Sequence, residues 1–204
     1  MPRIHLRNPT IEEAEKMARI ERERWPVELA NSVENIASRI ETFPHGQWAA
    51  TLDDEIVGVI FAQRLTRLFF ESTPWSYDAL TDHGTFRGSH DLGGEIYQLV
   101  DVSVSRAGKG NNLGRRLVDR QVEFARGLDG VKRILGFTRP VKFHEHDEVS
   151  MDEYVQLRGD DGKQIDPVLS FHLDNGASLV QPVERYRPDD PDTCGYAVLI
   201  EYPF

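Results

Sequence analysis

A single cysteine, Cys194, is all the thiol the chain carries. That excludes an internal disulfide, and no C-x-x-C pair offers a zinc site. Within DTCGYAV it reads as a small strand residue rather than a nucleophile. No apolar run approaches the roughly 20 residues that a membrane helix needs. The amino-terminal MPRIHLRNPT has no apolar signal-peptide core. We therefore expect a cytoplasmic protein without a membrane partner. Basic residues are also scarce: 24 Lys and Arg stand against 34 Asp and Glu, a formal charge of −10. Nucleic acid calls for clustered Lys and Arg, so it is not an expected partner. A local basic loop can still hold one phosphate group in an acidic protein. FHEHDE (143–148) brings His144 and His146 together without a third spaced ligand, so a solvated loop is expected there and no metal. Repeats, low-complexity tracts and linkers are missing too, which suggests one domain over residues 1–204.

What is present is an alternation of helical and strand patterns. RIHLR (3–7) reads as a short strand. Thr10 and Glu13 form a capping box before a helix with Ile11, Ala14, Met17 and Ala18 on one stripe. Pro26 ends or kinks it. A second helix spans Ser32 to Thr42, with Val33, Ile36, Ala37 and Ile40 on one face. QWAATLDDEIVGVIFAQRL reads as a hairpin turning at Asp53-Asp54. Its second strand is apolar on both faces and suits a sheet interior. Residues 66–95 form a long irregular excursion with room for a short helix. EIYQLVDVSVS (95–105) is a strong strand, and 113–128 a helix. VKRILGFT (131–138) is a strand, and 139–166 a polar insertion with a helix at SMDEYVQL. A short helix starts at Pro167. ASLVQPVERY and GYAVLIEYP close as strands. The fold class is α/β with a mixed sheet.

The most informative segment is the strand–loop–helix VDVSVSRAGKGNNLGRRLV. Gly108, Gly110, Asn111, Asn112 and Gly114 let the backbone turn several N–H groups toward one point at a helix start. That arrangement suits a phosphate or diphosphate. Taken alone, it suits a tight strand-to-helix turn equally well. It is no P-loop, because Gly-Lys-Ser/Thr is missing, and the G-x-G-x-x-G spacing of a dinucleotide fold fails.

This segment resembles the coenzyme A signature of the GNAT acyltransferase superfamily, a V-x-V strand followed by Q/R-x-x-G-x-G/A and a helix. Lys109, Asn112 and Gly114 fall in its register, with Lys109 replacing Gln or Arg and Asn112 replacing the first glycine. The resemblance implies a GNAT fold, a mixed and mostly antiparallel twisted sheet flanked by helices. It implies acyl-CoA as donor, with Val102 and Val104 main chain along the pantetheine. The amides of Lys109, Gly110, Asn111, Asn112, Leu113 and Gly114, together with Arg115, would hold the diphosphate.

A narrower likeness comes from LGFTRP, FHLDNGA, VERYRPDD and GYAVLIEY. Together they resemble the GNAT-like loading domains of polyketide synthases, of the curacin type. In most GNAT enzymes a tyrosine stands where SFHLDNGA places His172. The likeness implies His172 and Thr138 as catalytic residues and Trp25 and Arg187 as substrate-binding ones. Thr138 would donate a hydrogen bond to an enolate left when malonyl thioester loses CO₂. His172 would orient the carboxylate, deliver a proton, or serve as base for an incoming thiol. Arg187 would organise the substrate carboxylate or the pocket, and Trp25 would wall the acyl pocket.

Three functions stay open on the sequence. One is transfer from acetyl-CoA or malonyl-CoA to the phosphopantetheine thiol of an acyl carrier protein, with or without decarboxylation. Another is N-acetylation of a small amine or peptide. The last is an acyl-CoA-binding domain without turnover. His172 in place of tyrosine favours the first. A solo 204-residue chain with no carrier or synthase module favours the second. Asn112 in place of glycine favours the third.

Overall fold

The structure, a computed structural model, describes residues 3–204. Met1 and Pro2, which the expected domain includes, lie outside the described residues. Strand β1 (Ile4–Arg7) leads through a 3-10 turn into helix α1 (Ala14–Arg22), and α2 (Val33–Thr42) follows. The hairpin β2 (Trp48–Leu52) and β3 (Glu55–Leu65) comes next. The excursion holds two short helices, α3 (Arg67–Ser72) and α4 (Tyr77–Thr81). Then come β4 (Ile96–Val104), α5 (Leu113–Arg126) and β5 (Arg133–Thr138). The polar insertion contributes α6 (Met151–Tyr154). Helix α7 (Pro167–Asp174) and strands β6 (Ser178–Val183) and β7 (Ala197–Tyr202) complete the order.

Local chemistry explains the boundaries. The Glu13 carboxylate accepts the Thr10 N–H at 3.0 Å ahead of α1, and Ser32 Oγ accepts the Asn35 N–H at 3.1 Å at the start of α2. Asp166 accepts from the Val168 and Leu169 amides, with Pro167 in the first turn of α7, where it forfeits no helical bond. Asp53 and Asp54 both take positive φ, 48° and 73°, as a two-residue hairpin turn demands. Cys194 departs from expectation. It is exposed in a turn at φ 50°, with the Gly195 N–H bonded to the Asp190 carbonyl, and β7 begins only at Ala197.

The seven strands form one sheet in the order β1-β2-β3-β4-β5-β7-β6. Every neighbouring pair is antiparallel except β4 and β5. Helix α5 covers one face, packing Leu113, Leu117, Val118 and Val122 with Ile60 and Ala62. Helices α1 and α2 cover the other, packing Met17, Ala18, Ile36 and Ile40 with Val59 and Phe61. This is why β3 is apolar on both faces.

The feature that positions the site is a split between β4 and β5. They pair only over Ile96–Leu99 and Arg133–Gly136. Where β3 advances from Ile60 to Ala62, β4 advances from Leu99 to Val102, so β4 carries an extra residue across Val100–Asp101. Such a bulge bends the strand that holds it. Beyond it β4 follows β3 to Val104 while β5 follows β7 to Thr138. A cleft opens between the carboxyl ends of two parallel strands.

Candidate acyl-CoA site

The cleft has a volume of about 580 Å³. Its walls are β4 from Leu99 to Val104, β5 from Gly136 to Thr138, Gly114 and Val118 of α5, Phe171 and His172 of α7, and Trp25. Beyond Leu99, β4 has no partner on its β5 side among the described residues, so the main chain around Val102 and Val104 is free to pair with an extended amide-bearing ligand.

At the mouth, the turn Arg106–Gly108 leads into the loop of Lys109, Gly110, Asn111 and Asn112. A Cβ at Gly108 would lie 2.8 Å from a Val104 methyl and 3.0 Å from the Val57 carbonyl, so the loop closes onto the sheet only with glycine there. Gly110 stands at φ 86°. Asn112 occupies the left-handed region at φ 53°, ψ 29°, which asparagine tolerates better than other non-glycine residues. Among the described residues, no hydrogen bond engages the backbone N–H of Gly110, Asn111 or Asn112. Helix α5 has no side-chain cap, and the Arg116 N–H is the first to reach back, to the Asn112 carbonyl at 3.2 Å. The amides of Leu113, Gly114 and Arg115 therefore stand at an uncapped, positive helix end. Lys109 is exposed, and Arg115 meets Asp119 only loosely at 3.6 Å. Donors, dipole and cations fit a diphosphate.

Deeper in, Thr138 ends β5. Its hydroxyl is buried in the cleft wall with no hydrogen-bond partner among the described residues. A buried hydroxyl left unpaired is costly, so its setting suits a group that enters the cleft. His172 lines the same cleft from α7, with Nδ1 at 2.7 Å from the Tyr202 hydroxyl. Burial lowers the His172 pKa to about 4 and pushes that of Tyr202 well up. Both groups are neutral near pH 7.

Trp25 follows α1, and its indole N–H donates to Ser103 Oγ at 2.9 Å. The guanidinium groups of Arg139 and Arg187 lie 4.9 and 5.0 Å from its ring centre. Asp190 binds Arg139 through both oxygens, at 2.6 and 2.7 Å. Arg187 is set behind Trp25 and does not line the cleft, in contrast to its expected contact with substrate. The reason lies in its partners: it donates to the Leu29 carbonyl at 3.0 Å and to Asp101 at 3.4 Å, and stacks on Tyr77 at 3.5 Å. The structure thus brings Trp25, Thr138, His172, Val102, Val104 and Gly114 to one cleft and leaves Arg187 outside it.

Asp101, Tyr202, Arg139 and Ser103 were missed in the sequence. Asp101 did leave a signal, an acid inside an otherwise largely apolar strand. It anchors a buried network in which Arg39 and Asn31 each reach it at 3.0 Å. Arg39 is fully buried between Phe61 and Phe86. Glu21 accepts from the Asn31 N–H and side-chain amide at 3.0 and 2.7 Å, and tethers the loop that carries Trp25. Burial, with Asp101 close by, raises the Glu21 pKa to about 7.

Residues 12–146 match the model of the acetyltransferase (GNAT) family. The chain is 31% identical to YkwB of Bacillus subtilis, an uncharacterised N-acetyltransferase, over 98% of this chain and 88% of that one. The chain belongs to the GNAT family, and its class is acyl-CoA acyltransferase. Among solved structures it superposes on the loading GNAT-like domain of CurA from Lyngbya majuscula with a TM-score of 0.87 and 27% identity, covering 98% and 97% of the two chains. It also superposes on the GphF GNAT-like decarboxylase in complex with isobutyryl-CoA, with a TM-score of 0.82 and 26% identity, covering 97% and 98%. The likeness read from LGFTRP and FHLDNGA holds at the level of the whole fold.

Proposed function

We propose that the protein removes CO₂ from malonyl-CoA and passes the resulting acetyl group to a phosphopantetheine thiol on an acyl carrier protein. The observation that carries this reading is the Thr138 hydroxyl, a buried donor without a partner, in a cleft wall shared with a neutral histidine. Loss of CO₂ sends an electron pair onto the thioester oxygen, and a preorganised donor in a dry site stabilises that charge as it forms. Thr138 donates to that oxygen. The Gly110–Arg115 amides and Lys109 hold the diphosphate, and the free edge of β4 at Val102 and Val104 aligns the pantetheine. Trp25 excludes water from the acyl end. Arg187 and Arg139 already carry carboxylate partners, so they place Trp25 rather than neutralise a substrate carboxylate. The likeness to GphF, a GNAT-like decarboxylase, supports the decarboxylating half.

The test is to incubate the protein with malonyl-CoA, with and without a holo carrier protein, and to weigh the products. Acetyl-CoA alone, and acetyl-carrier when carrier is present, are expected. Thr138→Val should lower kcat about 100-fold. A second reading, N-acetylation of an amine, draws on the relative YkwB. Acetylated amine as the sole product would replace the first reading with the second.

A further inference from the structure

We propose that Tyr202 is a positioning residue that fixes His172 as a hydrogen-bond donor, with its proton on Nε2, rather than as a base. The inference rests on the functional reading above and decides what His172 does within it.

The geometry favours one arrangement of protons. Tyr202 ends β7, opposite Ile134 of β5, and is 2% exposed. Its hydroxyl lies 2.7 Å from His172 Nδ1 and meets no other hydrogen-bonding group among the described residues. The rings meet edge-on, centroids 6.3 Å apart and planes at 72°, so the phenol reaches the imidazole at its nitrogen rather than across its face. A buried neutral phenol holds one proton and spends it on an acceptor. The acceptor within reach is Nδ1. A neutral imidazole that accepts at Nδ1 carries its hydrogen on Nε2. Nε2 has no partner among the described residues and is not sealed from the cleft that His172 lines.

The chemical consequence is specific. A base for an incoming thiol needs a free lone pair facing the cleft, and His172 has none: Nδ1 is engaged by Tyr202 and Nε2 is protonated. What it offers is an N–H. In decarboxylation the bond between the methylene carbon and the carboxylate breaks, and its electron pair passes toward the thioester oxygen. The Nε2–H and the Thr138 O–H both donate to the charge that gathers there. Once CO₂ has formed, one water molecule enters the cleft; the carbon takes a proton from it, and the hydroxide so left combines with CO₂ as bicarbonate. His172 keeps its own proton throughout. The expectation that it serves as base for a thiol gives way to this role.

The test uses the full-length protein labelled with ¹⁵N at histidine. In the wild type, His172 is expected to show a protonated Nε2 and an unprotonated Nδ1. Tyr202→Phe keeps the ring and removes the donor, so both nitrogens should shift toward a mixture of tautomers. The same variant should lower kcat for malonyl-CoA decarboxylation about tenfold and leave KM within about twofold. His172→Gln retains an N–H donor but no basic nitrogen, and should stay about tenfold above His172→Ala. Thermal unfolding checks that each variant is folded. A protonated Nδ1 in the wild type, unchanged resonances in Tyr202→Phe, or glutamine no better than alanine would overturn the assignment. If the wild type forms no acetyl-CoA, the functional reading falls, while the resonances still judge the tautomer.

Discussion

At the scale of single residues, environment sets the chemistry more than residue type does. His172 and His90 are both held down to about 4 by burial, yet only His172 lines the cleft. We expect an NMR titration of His172 to show no midpoint near 6.5, with protonation only as pH falls through about 4. A midpoint near 6.5 would mean that the imidazole is hydrated. Arg187 makes a second case. Its ion pair with Asp101 is almost fully buried, and removing one member of such a pair leaves a charge stranded. Arg187→Gln should cost roughly 3 kcal/mol, read as a lower urea midpoint. It should also lower kcat through a loosened Trp25, with affinity for coenzyme A unchanged because the loop proposed to hold the diphosphate lies elsewhere.

Among the elements, the start of α5 matters most. Its loop needs backbone in the left-handed region at Gly110 and Asn112, and its free amides exist because no side chain caps the helix. Asn112→Gly should leave coenzyme A binding within about twofold, since glycine adopts this region without strain. Asn112→Val should weaken it about tenfold or more, because a β-branched side chain resists φ above zero. Calorimetry with coenzyme A measures both. Equal affinities for the two variants would separate the loop conformation from binding. The bulge in β4 is the other decisive element. Without the extra residue at Val100–Asp101, β4 would go on pairing with β5 and the cleft would close.

Across the whole molecule, the cleft is braced by buried charge. Glu21, Asn31, Arg39, Asp101 and Arg187 link α1, α2, β4 and the segment before β7. Glu21 has a folded-state pKa near 7, above its ordinary value of 4.5. The folded protein therefore holds that proton more tightly, and Glu21 costs stability as pH rises from 4.5 through 7. His90 and His172 act in the opposite sense. Their pKa values fall to about 4 from 6.5, so stability is lost as pH drops from 6.5 through 4. Glu21→Gln keeps an acceptor for Asn31 and removes the titration. The stability of this variant relative to wild type should be higher at pH 8 than at pH 5, by up to roughly 3 kcal/mol. Urea unfolding at the two pH values decides it, and an equal difference at both would place the Glu21 pKa at its ordinary value.

The local patterns determined the elements. The capping residues, the two-residue turn, the apolar stripes of α1, α2 and α5 and the glycine-rich loop all act over a few residues, and each could be read from its own stretch. The turn into α5 was legible for the same reason, because a helix start and its preceding turn are local, whereas a diphosphate there was implied only by the family resemblance. That Thr138, His172 and Trp25 share one cleft was suggested only by likeness to a known family, since nothing in 34 or 113 positions of spacing brings side chains together. What the tertiary structure decided is who meets whom. The sheet order sets β7 beside β5 and brings Tyr202 to His172, and the β4 bulge lies at Asp101, which pairs with Arg187 across 86 positions of sequence. Hydrogen bonds reach about 3 Å, so contacts between residues far apart in sequence exist only once the chain has closed on itself.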